Sequence, residues 1–448
     1  MPIYISSLDG SVTESRESSE LHGIEWMKKK IDASELMVGM YVCEVDRPWL
    51  ETPFLFQGFP IKNFEDIENV RKVCKYVYID TARGKDSQHS VSASSHAHGI
   101  QKQMEKIPAS REAQRYPVSV PLERETKEAG KIHNKTKGLI KKYMDDVRLG
   151  NSITTDIAKE VVREAVDSII RNPNALVCFT QLKNRDQYTS EHSLNVCIMA
   201  LAFGRYLGLS EDLLNELGIG ALLHDLGKMK IPMELLHKEG NLTQEEFDLI
   251  KKHPEFGREI LESAGGVPQS ALDIAYSHHE RIGGRGYPEG RTSRELSLFA
   301  KVVAIVDVYD AITSDRSYHD AISSHDALKK MYEWRETDFD ADLIEKFIQC
   351  LGIYPIGSIV ELNTGDVGIV VEVDPEKRLK PRVMLVMDPD KKLCTTTRII
   401  DLAEDRIENS VQNTELEITH VLDPGAYDGN LMKVLFDSKL MKVEDMLS

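Results

Sequence analysis

His224 and Asp225 stand side by side in the string ALLHDLGKMKIP, residues 221–232. His192, His253, His278, His279 and Asp307 flank them along the chain. All seven offer nitrogen or oxygen donors, and several border apolar runs that predict helices. A single histidine on such a helix is ordinarily a satisfied core residue. Seven candidate donors in one stretch have the composition of a metal site built from imidazole and carboxylate. These donor types suit borderline and hard divalent ions. No cysteine pair accompanies them, which argues against a zinc–thiolate centre.

The elements that must position these donors can be read locally. His192 is expected to open a helix that ends near Leu207, with Gly208 as its C-cap. Ser210 caps the next helix, which delivers His224-Asp225 at its far end. Thr243-Gln244-Glu245-Glu246 is a capping-box pattern ahead of FDLIKKH, and Pro254 is expected to end or bend that helix just after His253. Residues 302–311 are apolar apart from Asp307 and Asp310 and predict a buried helix. A carboxylate there is costly unless it is paired or metal-bound. Gly283, Gly284, Gly286 and Gly290 crowd a segment that must be a loop, decorated by Arg281, Arg285 and Tyr287.

Three strings, ALLHDLGKMKIP, HHERIGGRGYP (278–288) and VAIVDVYDAITSDRSY (303–318), together resemble the HD-GYP family, from about Asp186 to about Leu351. The resemblance implies an all-helical phosphodiesterase that opens cyclic di-GMP to pGpG, with GMP as a further product, by attack of a metal-activated hydroxide on phosphorus. It implies His192, His224, Asp225, His253, His278, His279 and Asp307 as metal ligands, with Asp225 as bridging and catalytic carboxylate. A bridging carboxylate holds two ions about 3.5–4 Å apart. Lys228 matches a catalytic lysine that meets the scissile phosphate, Arg316 a phosphate-binding arginine, and Asp186 a position near the guanine. Arg285 and Tyr287 join them as substrate contacts. Asp310 is expected to hydrogen-bond within its own helix.

The chain departs from the family pattern at two positions. Tyr188 stands where some members carry a glutamate that helps to hold a third metal, so two divalent ions, iron or manganese, are expected. Gly283 stands where the family has aspartate, so a loop carboxylate is lost.

Around this core the chain reads as multidomain. Residues 1–27 are a polar start. Residues 28–82 form a small α+β domain, with strands in VGMYVCEVD, PFLFQGFPI and YVYID and a helix over 66–74. This unit resembles a domain of unknown function that often precedes HD-GYP domains, most clearly in WLETPFLFQGF. Residues 83–120 have linker composition. Residues 121–175 carry two connecting helices split near Gly150, candidates for pairing between subunits of a homodimer or for packing onto the catalytic domain at 176–352. Residues 353–448 form a small β-rich extension, with a hairpin at Thr364-Gly365-Asp366, and a tail.

With 448 residues, 41% of them hydrophobic, the chain can bury several cores. A net charge of −17 disfavours non-specific nucleic-acid binding. An anionic substrate then needs a local positive field, which Lys228, Arg285, Arg316 and bound cations would supply. Six scattered cysteines suit a reducing compartment. The start MPIYISSLDG lacks signal-peptide character, and the longest apolar run, 196–203, is too short to cross a bilayer, so a cytoplasmic protein without a membrane span is expected. Two alternatives stand beside cyclic di-GMP hydrolysis. One is hydrolysis of another cyclic dinucleotide such as cyclic GMP-AMP. The other is a low-activity cyclic di-GMP receptor or scaffold that binds GGDEF-domain proteins through the GYP loop.

Overall fold

A computed structural model describes residues 28–46, 59–61, 63–80, 114–181, 188–238, 240–314, 322–374, 377, 379–404 and 415–422. The chain divides into two compact units, 4–107 and 108–448.

The first unit is a four-stranded antiparallel sheet with one helix. Strands β1 (Lys28–Asp32), β2 (Tyr41–Val45), β3 (Phe59–Pro60) and β4 (Tyr76–Asp80) lie in the order β1-β4-β2-β3. Helix α1 (Phe64–Val73) starts at a capping box formed by Asn63 and Asp66. Ile31, Val42, Val77 and Ile79 from the strands meet Ile67 and Val70 from the helix in a shared core. Three of these strands fall where the alternating sequence places them. The first, KKKID, was not anticipated, because its lysines hide the alternation. Trp49 and most of the WLETPFLFQGF string lie outside the described residues.

The second unit is helical, with a sheet at its C-terminal end. Two long helices, α2 (Leu122–Arg148) and α3 (Thr155–Arg171), lead into α4 (Pro173–Phe179). Most of their apolar residues are buried within the chain, Ile157 being exposed. Lys137 on α2 pairs with Glu191 at 2.6 Å, and Thr155 bonds the Gly265 carbonyl at 3.0 Å. Residues 114–120, at the end of the expected linker, are tied down. The Gln114 N–H meets the Gly208 carbonyl, and the Tyr116 hydroxyl donates to the Leu209 carbonyl at 2.9 Å.

The helices that carry the candidate donors follow. They are α5 (Tyr188–Tyr206), α6 (Glu211–Leu223), a 3-10 turn (Leu226–Lys230), α7 (Met233–Leu236), α8 (Gln244–Ile250), α9 (His253–Ala264), α10 (Gln269–Ser277) and α11 (Leu298–Thr313). Two expectations need correction. Helix α5 begins at Tyr188, so His192 lies in its second turn rather than at its start. The helix ahead of Pro254 ends at Ile250, as expected, but Pro254 itself belongs to the next helix. It sits in the first turn of α9, where its missing N–H has no intrahelical acceptor to lose. The Thr243–Glu246 capping box forms as expected.

Helices α12 (Ser324–Glu333) and α13 (Ala341–Leu351) complete the bundle. Strands β5 (Ile359–Leu362), β6 (Val367–Glu372), β7 (Arg382–Met387), β8 (Leu393–Asp401) and β9 (Ile418–Leu422) form an antiparallel sheet in the order β8-β7-β6-β5-β9. Gly365, at φ +87, makes the predicted turn between β5 and β6. The Val373 N–H and the Val371 carbonyl bond Asn174 and Cys178 of α4, joining the sheet to the helices. Among the described residues no helix is long and apolar enough to cross a membrane.

Candidate metal centre

Three of the histidines sit at helix ends and satisfy carbonyls there. The His224 ring, after the last residue of α6, places Nδ1 2.7 Å from the Ala221 carbonyl oxygen. His278, after α10, does the same to Ala275 at 3.0 Å, and His253, opening α9, to Ile250 at 2.7 Å. A carbonyl oxygen only accepts, so each Nδ1 carries a proton and each Nε2 is turned inward. Gly227 lets the 3-10 turn lie directly on α9, since a Cβ there would overlap the His253 carbonyl.

Asp225 is the hub. It has 0% exposure, and its two oxygens face different histidines. Oδ1 lies 3.5 Å from His253 Nε2 and 3.6 Å from His278 Nε2. Oδ2 lies 3.5 Å from His224 Nε2 and 3.7 Å from His192 Nε2. Asp307 on α11 spans the same divide, with Oδ1 2.9 Å from His192 Nε2 and Oδ2 3.9 Å from His279 Nδ1. Two donor groups result, His192-His224-Asp225 and Asp225-His253-His278-His279, with Asp225 common to both. Every sequence-predicted ligand is thus brought to one place.

The electrostatics fit a cation. Burial pulls His224 down to about 4 and His253 down to about 3, and burial with the neighbouring imidazoles holds His279 well below its ordinary range. Burial also opposes ionisation of Asp225 and Asp307. For Asp225 the Lys228 ammonium is the largest cause against it, and for Asp307 the hydrogen bond from His192, and both carboxyls are held well below their ordinary range. The Nε2 atoms of His253 and His278 lie 3.2 Å apart, and both face Asp225 Oδ1. His224 Nε2, Asp225 Oδ1 and His279 Nε2 are buried without a hydrogen-bond partner. Lone pairs and negative charge that converge in this way are reconciled by positive ions between them.

Asp310 corrects the sequence reading. It reaches across to α5, accepting from His192 Nδ1 at 2.7 Å and from Asn195 at 3.2 Å. Burial works against a charged His192, but Asp307 and Asp310 outweigh it and shift the ring upward. The signal was an aspartate one turn after Asp307 on an otherwise apolar helix.

The expected substrate contacts fare unevenly. Lys228 lies in the 3-10 turn with its ammonium against Asp225 Oδ2, and is 12% exposed. Tyr287 stacks on His279 at 4.7 Å. Arg285 is 71% exposed and pairs with Asp338 at 4.0 Å, not with a cluster carboxylate. Asp186 and Arg316, and the side chain of Tyr188, lie outside the described residues. Gly283 has a local cause. A Cβ there would stand 2.7 Å from the Thr337 carbonyl oxygen.

Comparison with known proteins identifies relatives of each part of the chain. Residues 28–158 match the family model described as a domain of unknown function (DUF3391), residues 177–343 the HD domain, and residues 359–417 the KOW domain associated with HD domain. A cyclic di-GMP phosphodiesterase of Pseudomonas aeruginosa is 35% identical over 378 residues, which is 84% of this chain and 89% of that protein. A cyclic di-GMP phosphodiesterase response regulator of Xanthomonas campestris is 36% identical over 169 residues, 38% of this chain and 45% of its own length. A 3'3'-cGAMP-specific phosphodiesterase of Vibrio cholerae is 31% identical over 166 residues, 37% of this chain and 32% of its own.

Proposed function

The chain belongs to the HD-GYP family of HD-domain phosphodiesterases, and on that premise we propose that it hydrolyses cyclic di-GMP to pGpG at the His/Asp cluster. The observation that carries the reading is Asp225, fully buried, with each carboxylate oxygen turned to a different set of histidines.

His192, His224 and Asp225 would hold one divalent cation, and Asp225, His253, His278 and His279 a second, with Asp307 reaching both sets. Iron and manganese suit this thiolate-free donor set. When bound, such ions supply an acidified water for in-line attack at phosphorus and positive charge for the phosphoryl oxygens. The neutral imidazoles keep their lone pairs for binding, because burial resists their protonation. Asp310 holds the His192 ring through Nδ1 and so aims Nε2 at the cluster. Lys228 sits where its ammonium can turn from Asp225 to a non-bridging phosphate oxygen. Arg316 and Asp186 are assigned to phosphate and guanine on the family pattern.

A second reading keeps the site and changes the base, because the cGAMP-specific relative aligns with 37% of this chain. The test for both is to supply the manganese- or iron-loaded protein with each cyclic dinucleotide and resolve the products by chromatography. Linear pGpG, formed faster than the product from cyclic GMP-AMP, is expected. A protein that keeps its metal yet turns over neither substrate, under anaerobic iron as well as manganese, would contradict the reading.

A further inference from the structure

Glu280 follows His279 and is 1% exposed, and no role assigned above uses it. Its Oε1 accepts the backbone N–H of Glu289 at 2.8 Å and of Gly290 at 3.1 Å, and its Oε2 that of Arg291 at 2.9 Å. One buried carboxylate, satisfied by three N–H donors, therefore closes the 281–291 loop onto the end of α10. The fold-back is tight: a Cβ at Gly286 would overlap Glu280 Cα and the Arg281 nitrogen. Tyr287 comes next, donating its N–H to the His279 carbonyl at 3.3 Å and laying its ring on that imidazole with planes 26° apart. On the other arm of the loop, the Ile282 and Gly283 N–H groups meet the Asp338 and Thr337 carbonyls at 3.3 and 3.1 Å.

We propose that Glu280 is a positioning residue that acts through Tyr287. It fixes the loop so that the tyrosine ring rests on His279 and forms one edge of the place a cyclic dinucleotide occupies. The inference rests on the hydrolytic reading above. The loop meets the cluster at His279, whereas His224, His253 and His278 are each anchored through Nδ1 to a carbonyl outside the loop. Loosening the loop should therefore weaken substrate capture and leave metal binding intact. Glutamine at 280 keeps an acceptor for Glu289 and Gly290 but turns a donor toward the Arg291 N–H, so its effect should be intermediate.

The experiment compares the full chain with E280A, E280Q, Y287A and the E280A/Y287A double variant. It measures bound metal, steady-state kinetics on cyclic di-GMP, and hydrogen exchange of the amides of residues 289–291. In E280A those amides should exchange at least roughly tenfold faster, since each loses its acceptor. Metal content should hold, and KM should rise roughly tenfold with kcat changed far less. Y287A should show a similar rise, and the double variant no more than the larger single effect. Three results would overturn the proposal: faster exchange with unchanged KM, effects of E280A and Y287A that multiply, or metal loss with collapse of kcat. Should E280A fail to fold, E280Q carries the same readouts. A wild-type protein without turnover would defeat the hydrolytic reading instead. Amide exchange and the Kd for cyclic di-GMP would then decide the role of Glu280 by themselves.

Discussion

A carboxylate with no exposed surface that faces four imidazole nitrogens, as Asp225 does, is tolerable only where positive charge meets it. Asp225→Asn keeps the shape and removes the charge shared by the two donor groups. It should abolish turnover and lower bound metal, measured by elemental analysis of the purified variant. Asp310 reaches the site through His192, so Asp310→Asn should be milder. Metal affinity should fall roughly 10–100-fold, the usual cost of losing such an orienting partner, in a metal-titration assay. The donor set was legible because histidine and aspartate next to apolar runs have few other uses. The bond from Asp310 to His192 was not, since nothing local tells an aspartate on α11 that its partner lies on α5. Glu280 was visible in the HHE string, but its three acceptor bonds depend on how a glycine-rich loop folds back.

Among the elements, the close approach of the 3-10 turn to α9 is the most demanding contact at the site. At Gly227 a side chain would meet backbone, which no rotamer change relieves. Gly227→Ala should therefore cost roughly 3 kcal/mol or more in a denaturant titration, and disturb His253 with it. Helix α2 carries a second test. His133 is buried and stacks on Phe179 of α4 at 5.3 Å. Burial, with a smaller push from Lys137 and partly offset by Asn134, lowers its pKa to about 4. The unfolded chain takes up this proton below about 6.5 and the folded chain only below about 4. The stability at stake, on the order of 3 kcal/mol, is thus full above the first value and lost as pH falls toward the second. His133→Leu should lose less stability than the native chain between neutral pH and pH 4.5, seen as a smaller fall in denaturation midpoint. Helix existence and order were readable from periodicity and caps. Exact bounds were not: α5 begins at Tyr188, and the helix ahead of Pro254 stops at Ile250 while Pro254 lies in the first turn of the next. Strand β1 is a strand because β4 pairs with it, a fact absent from KKKID itself.

At the scale of the whole chain, every donor of the cluster lies in the 108–448 unit. A fragment of residues 108–448 should keep the metal content of the full chain. One that begins at 176, where the sequence suggested the catalytic domain starts, should be unstable, because it strips away α2 and α3 and the Lys137–Glu191 pair beside His192. Thermal unfolding of the two fragments checks this. The net charge of −17 was readable at once, and with it the need for a local positive field to meet an anionic substrate. Cations on Asp225 and Asp307, with Lys228 beside them, would supply that field. The most direct measurement is therefore metal stoichiometry by elemental analysis, after anaerobic loading with iron or manganese. Two ions per chain are expected in the native protein, and substantially fewer in the Asp225→Asn variant. A native protein that binds one ion or none, or a variant that keeps the native ratio, would contradict a site organised around one shared carboxylate.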